Sequence, residues 1–136
     1  MEKKLKCILL IDDNEADNYF HKIVIEEMNI TERIEVALDG VEALNFLNQE
    51  NETPPELIFL DINMPRIDGW EFLERYKGLS LKQERSIIII MLSTSYNPKD
   101  IEKARQIEEV SGFKVKPLTE EMLTEILEKY FPDNLR

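Results

Sequence analysis

The chain has 136 residues and a mass of 16.1 kDa, with 28 acidic against 17 basic side chains and a net charge of −11 at pH 7. That length fits one compact domain, and 43% hydrophobic residues suffice for its core. A pI near 4.6 opposes nucleic-acid binding, whose main affinity term is neutralisation of phosphates by Lys and Arg, and a single cysteine, Cys7, excludes an internal disulfide framework or a Cys-rich zinc site.

The first element is the apolar run over residues 5–11, which reads as a strand buried on both faces. It ends at once in Asp12 and Asp13, too soon for a signal-peptide core, and no later segment approaches a membrane span. The expectation is a soluble, cytoplasmic protein without a targeting segment. Asn14 is placed to cap a helix whose first turn gains from Asp17. Ala16, Tyr19, Phe20, Ile23, Val24 and Met28 follow at helical spacing and predict its buried face.

A short strand is predicted over residues 34–38, followed by an Asp39-Gly40 turn. Asp39 with Glu42 forms a capping-box pattern ahead of Val41, Ala43, Leu44, Phe46 and Leu47. Residues 51–55 form a loop containing two prolines. Another apolar strand covers residues 57–60 and stops at Asp61. Asp68 and Glu71 repeat the capping-box pattern before Phe72, Leu73 and Tyr76. Residues 87–92 give the strongest strand signal, four isoleucines in a row. Asn97-Pro98 opens a fourth helix with proline at its first position. Residues 112–115 form a last short strand, and Thr119 caps a final helix carrying Met122, Leu123, Ile126, Leu127 and Tyr130.

Short apolar strands alternating with helices predict an α/β fold: a doubly wound, five-stranded parallel sheet between two helical layers. In such sheets ligands bind beyond the carboxyl ends of the strands. The residues that follow the strands are Asp12 and Asp13, Asp61, Ser93 with Thr94 and Ser95, and Lys116 with Pro117. Carboxylates that close repel one another, and an all-oxygen donor set suits a hard divalent cation such as Mg²⁺. Taken singly, each residue has a plainer role as a turn, a cap or a solvated surface group; their shared edge is what points to a site.

Asp12-Asp13, Asp61-Ile62-Asn63-Met64-Pro65 with Asp68-Gly69, Leu92-Ser93, and Phe113-Lys114-Val115-Lys116-Pro117 together resemble the receiver domain of two-component response regulators, of the CheY-like, stand-alone type. The resemblance covers essentially the whole chain. It implies one receiver domain over residues 1–136 with no output domain, a cytoplasmic phosphoprotein in phosphorelay signal transduction. In this reading Asp61 is the phospho-accepting residue. Asp13, Asp61 and the backbone carbonyl of Asn63 bind Mg²⁺ directly, with Asp12 acting through a water. Ser93 is the switch hydroxyl, Phe113 the switch aromatic and Lys116 the lysine that assists phosphoryl transfer, with a cis bond to Pro117.

The implied partners are a histidine kinase or histidine phosphotransfer protein and a downstream protein target, or a second copy in a phosphorylation-dependent dimer. The interaction surface expected is the face of the fourth helix, last strand and last helix. Direct DNA binding and membrane association are not expected. Such a domain catalyses only its own phosphoryl transfer and autodephosphorylation. Three departures stand out: Thr94 where many receivers have alanine, Ser93 in place of threonine, and Phe113 in place of tyrosine.

Three other functions were open. A haloacid-dehalogenase-type phosphatase also uses a strand-end Asp with Mg²⁺, but needs a second carboxylate where Asn63 stands. A nucleotide or flavin binder needs a glycine-rich phosphate loop, and Asp12, Asp13 and Asn14 occupy that place. A pseudo-receiver scaffold would carry the same fold without being phosphorylated. His21, the lone histidine, is expected to be partly exposed beside the apolar face of the first helix.

Overall fold

Runs of β-branched and long aliphatic residues form strands, and the central ones, covered on both sides, have no polar face to present. The computed structural model describes residues 3–49, 53–79 and 87–135. Five strands, β1 (Ile8–Ile11), β2 (Ile34–Ala37), β3 (Leu57–Asp61), β4 (Ile88–Ser93) and β5 (Gly112–Val115), pair in parallel in the order β2-β1-β3-β4-β5. Between and after them run α1 (Glu15–Met28), α2 (Gly40–Leu47), α3 (Gly69–Lys77), α4 (Pro98–Arg105) and α5 (Glu120–Tyr130). This is the flavodoxin-like α/β architecture.

Alternate residues of the central strands β1, β3 and β4 feed two cores. Leu9, Ile11, Ile58, Leu60, Ile89 and Met91 point to the side holding Ala43 and Leu47 of α2, Phe72 and Leu73 of α3, and Ala104 of α4. Ile8, Leu10, Leu57, Phe59, Ile90 and Leu92 point to the side holding Ile25 of α1 and Leu123, Ile126 and Leu127 of α5. Burying each such side chain stabilises the fold by roughly 1.5–3 kcal/mol relative to exposure, so the sheet position is over-determined.

The helix starts follow the cap residues. Asn14, Asp39, Asp68, Asn97 and Thr119 each accept a hydrogen bond from a backbone N–H in the first turn. The two capping boxes are only half formed. The Glu42 carboxylate reaches the N–H of Leu38 at 3.4 Å, and Glu71 turns away to accept from Arg75 at 2.7 Å. The first strand is shorter than its apolar run, because Leu5 makes only an isolated bridge to Thr31. The loop expected over residues 51–55 and the connection over residues 76–86 lie partly outside the described residues.

The buried face of α1 differs from the sequence expectation. Tyr19 and Phe20 are exposed, at 70% and 47%, whereas Asn18, His21 and Ile25 are buried. His21 is therefore inside rather than partly exposed. The cause is at the helix start, where the Asn18 amide donates to the backbone carbonyl of Asp12 at 2.8 Å and turns that side of α1 onto the sheet edge.

Gly69 sets the distance between α3 and β3. Its N–H donates to the carbonyl of Ile62 at 2.7 Å, and a Cβ there would lie 2.7 Å from the carbonyl oxygen of Asp61, a backbone atom with no freedom to yield. Gly69→Ala is expected to lower stability by about 1–3 kcal/mol, as overpacking against a fixed neighbour does. Urea denaturation measures this, and an unchanged midpoint would contradict the close approach.

Candidate functional site

Parallel register decides which residues meet at the strand ends. Ile11 pairs with Leu60 and Asp61 with Leu92, so Asp12, one residue past Ile11, stands level with Asp61. Ser93 pairs with Val115, which brings Lys116 to the next position along the same rim. The Lys116 N–H donates to the Ser93 carbonyl at 2.8 Å, and the bond from Lys116 to Pro117 is cis.

The side chains converge there. Lys116 is 9% exposed, and its ammonium donates to Asp12 at 2.6 Å and Asp17 at 2.9 Å, with Asp61 Oδ1 at 3.2 Å. The other oxygen of Asp12 accepts from the N–H of Asn14 at 3.0 Å. One carboxylate oxygen from each of Asp12, Asp13 and Asp61 lies within 4.8 Å of the others. An open cavity of about 650 Å³ covers this cluster, lined by Asp12, Asp13, Asn14, Glu15, Asp17, Asp61, Asn63, Thr94 and Lys116. Among these described residues five carboxylates face one ammonium.

Electrostatics follow from that imbalance. Burial, and then the Asp12 charge, push the Asp61 carboxyl from 3.8 up to about 6, although Lys116 pulls the other way. Burial disfavours the charge on Lys116, yet its hydrogen bonds to Asp12 and Asp17 win and hold it above the ordinary lysine range. Burial and then Lys116 lower the pKa of His21, against the nearby Asp17 and Asp12. The donors are all oxygen, spaced closely and short of positive charge, which fits a hard divalent cation at Asp12, Asp13 and Asp61.

The other expected residues lie at the same edge but outside this cavity. Ser93 is buried, and its hydroxyl accepts from the N–H of Ser95 at 3.2 Å. Thr94 lines the opening instead. Phe113 is half-buried beside a second cavity of about 230 Å³, with Tyr96, Ile101, Ala104 and Arg105.

Two contacts were not read from the sequence. Asp17, which reads from the sequence as a helix-dipole residue, is a direct partner of Lys116, 99 residues away, and no local pattern signals this contact. Asp39, taken as a simple cap, also accepts from the Arg66 guanidinium, with Nε at 3.1 Å. Arg66 sits in the left-handed region at φ 66°, so the loop after Asp61 is tied to the start of α2. The backbone N–H of Glu42 first, and then Arg66, hold the Asp39 carboxyl below its usual range.

Comparison with known proteins gives a consistent picture. A family model for the response regulator receiver domain matches residues 8–128. Response regulator Rcp1 of Synechocystis sp. is 37% identical over 101 residues, covering 71% of this chain and 67% of Rcp1. The Mn²⁺-bound structure of Rcp1 has a TM-score of 0.73 at 30% identity, covering 93% of this chain and 94% of that one. A two-component response regulator from Cytophaga hutchinsonii is similar at TM-score 0.87 and 32% identity, covering 93% of this chain and 97% of its own. The phosphorylated cyanobacterial phytochrome response regulator RcpA has a TM-score of 0.73 at 31% identity, covering 96% and 94% respectively.

The folded protein holds a proton on Asp61 between about pH 4 and 6 that the unfolded chain has lost, so stability falls as pH rises through that window. Asp61→Asn removes the burden, and the metal-free variant is expected to be more stable than wild type at pH 7.5 by about 1–3 kcal/mol, at 1.36 kcal/mol per pKa unit. The gain shrinks toward zero at pH 4. Thermal denaturation at both pH values in the presence of a chelator checks this; a variant less stable at pH 7.5 would contradict it.

Proposed function

The chain belongs to the response regulator receiver domain family, and from that premise we propose that Asp61 accepts a phosphoryl group from a phosphohistidine, in a Mg²⁺-dependent reaction that changes which partner the protein binds. Receiver domains of this family are phosphorylatable switches of two-component systems, bind a divalent metal, and work with histidine kinases or phosphotransfer proteins. The observation that carries the finer reading is the setting of Asp61: a buried carboxylate opening on a charge-dense cavity, 3.2 Å from the only ammonium among the described lining residues.

In this reading a carboxylate oxygen of Asp61 attacks phosphorus. The new O–P bond forms as the N–P bond to the donor imidazole breaks, and the electron pair leaves with the imidazole nitrogen. Phosphoryl transfer passes through a loose transition state, so the site contributes placement and charge neutralisation rather than proton chemistry. Asp13, Asp61 and the Asn63 carbonyl are assigned to hold Mg²⁺, with Asp12 supporting it through water. A bound Mg²⁺ supplies positive charge to the phosphoryl oxygens and offsets the carboxylates. Lys116 donates to a phosphoryl oxygen from the opposite side. Ser93 turns its hydroxyl from the Ser95 N–H toward the new group, and Phe113 moves inward behind it.

Phosphorylation takes Asp61 from −1 to near −2 in the space between Lys116 and Ser93. The affected surface is then α4, β5 and α5, where Phe113 and Tyr96 border the second cavity. The downstream target, or a second copy of the chain, is assigned to that face. In this proposal residues 1–136 act as a single receiver unit that turns over no external substrate. Asn63 stands where a haloacid-dehalogenase-type phosphatase needs its second carboxylate, which favours the switch over that enzyme.

Intact-mass measurement after incubation with acetyl phosphate and Mg²⁺ tests the proposal. One added phosphoryl group is expected on the wild type and none on Asp61→Asn or in the presence of a chelator. A phosphoryl group that persists in Asp61→Asn, or a wild type that takes none, would contradict it.

A further inference from the structure

The geometry points to Asp17 as a positioning residue for phosphoryl transfer, acting through Lys116. This rests on the proposed role of Asp61. An ammonium has three N–H bonds, and three carboxylates surround this one. Asp12 at 2.6 Å and Asp17 at 2.9 Å take two of them, and Asp61 Oδ1 stands 3.2 Å away as the third charge partner. A lysine held by Asp12 alone can rotate about that single contact. Two anchors fix its direction.

Asp17 is itself held in place. The side chain of Asn14 accepts from the Asp17 N–H at 3.0 Å, and Asn18 donates to the Asp12 carbonyl at 2.8 Å. The first contact caps α1 and the second ties it to the residue after β1, so Asp17 and Asp12 approach Lys116 from a common corner. The Asp17 side chain is also 36% exposed, against 5% for Asp12 and 8% for Asp61, and so forms the outer wall of the cavity. An incoming phosphodonor meets it on the way to Asp61.

Two separable effects follow. As an acceptor, Asp17 aims Lys116 and raises the rate of transfer once the donor is bound. As an anion at the mouth, it repels the negatively charged donor and weakens its binding. Asn at this position keeps the acceptor and removes the charge; Ala removes both.

Phosphorylation by acetyl phosphate is measured across donor concentration at saturating Mg²⁺ for wild type, Asp17→Asn and Asp17→Ala. Misplacement of a transfer group by a fraction of an ångström is expected to lower the saturating rate of Asp17→Ala about tenfold. Asp17→Asn retains a saturating rate near wild type, and both variants reach half-maximal rate at lower donor concentration. In the unphosphorylated proteins, ¹⁵N NMR of the Lys116 ammonium provides a second readout. Its protons exchange slowly with water in wild type and Asp17→Asn, and faster in Asp17→Ala.

An equal saturating rate in Asp17→Ala, equal impairment of Asp17→Asn and Asp17→Ala, or ammonium exchange indifferent to Asp17→Ala would each overturn the assignment. The NMR readout needs no phosphoryl transfer. A wild type that takes no phosphoryl group while its Lys116 ammonium loosens in Asp17→Ala therefore overturns the role of Asp61 and leaves the tether standing.

Discussion

The contact between the Lys116 ammonium and the carboxylates of Asp12, Asp17 and Asp61 is the interaction on which the rest of the site depends. It joins β5 to β1, β3 and α1 across the sheet, between groups up to 104 residues apart in sequence. One positive charge cannot balance the acidic groups that the parallel register brings to this rim. Burial, and then the Asp12 charge, drives Asp61 up to about 6, and the residual negative charge is why the cluster suits a divalent cation. A fully neutralised rim would be a more stable protein and a poorer site, the usual compromise where function requires like charges side by side.

The fold holds that unfavourable cluster because the sheet beneath it is indifferent to its cost. Strands buried on both faces by two separate cores fix the register, and a shift of one residue would turn every inward side chain to the other face. Gly69 lets the start of α3 sit against the backbone of Asp61, and the Arg66–Asp39 pair ties the intervening loop to α2. On α4, Lys103 lies 4.5 Å from the ring centre of Trp70 on α3, linking the two helices that flank the loops after Asp61 and Ser93. The site is thus held on its α1, α2 and α3 sides by specific polar contacts, whereas on its α4–β5 side Phe113 borders the second cavity.

Much of this was legible in the sequence because it follows from local rules. Apolar runs of strand length, five cap residues and the acidic or basic residue after each strand are all short-range signals. They place Asp12, Asp13, Asp61 and Lys116 on one edge. What escaped depends on specific side-chain pairing that periodicity and capping patterns do not encode. The stripe of Tyr19 and Phe20 has the periodicity of a buried helix face, but the Asn18 bond to Asp12 rotates α1 so that Asn18 and His21 go inside. Asp17 reads as a dipole-stabilising first-turn residue, and only its distance to Lys116 gives it a second role. Glu71 completes a capping-box pattern on paper, yet Arg75 four residues on competes for it and wins. In α1 and α3 a polar partner six or four residues away outweighs the local pattern, and for Asp17 a partner 99 residues away adds to it.

In the proposed function a divalent cation held by Asp13 and Asp61 relieves the charge deficit of the acidic rim. Calorimetric titration with Mg²⁺ between pH 5 and 8 measures this most directly. One Mg²⁺ is expected to bind at pH 7.5, with affinity falling and protons released as the pH drops through 6, where Asp61 protonates. Binding that is indifferent to pH across that range, or that survives the combined Asp13→Asn and Asp61→Asn substitutions, would contradict the account.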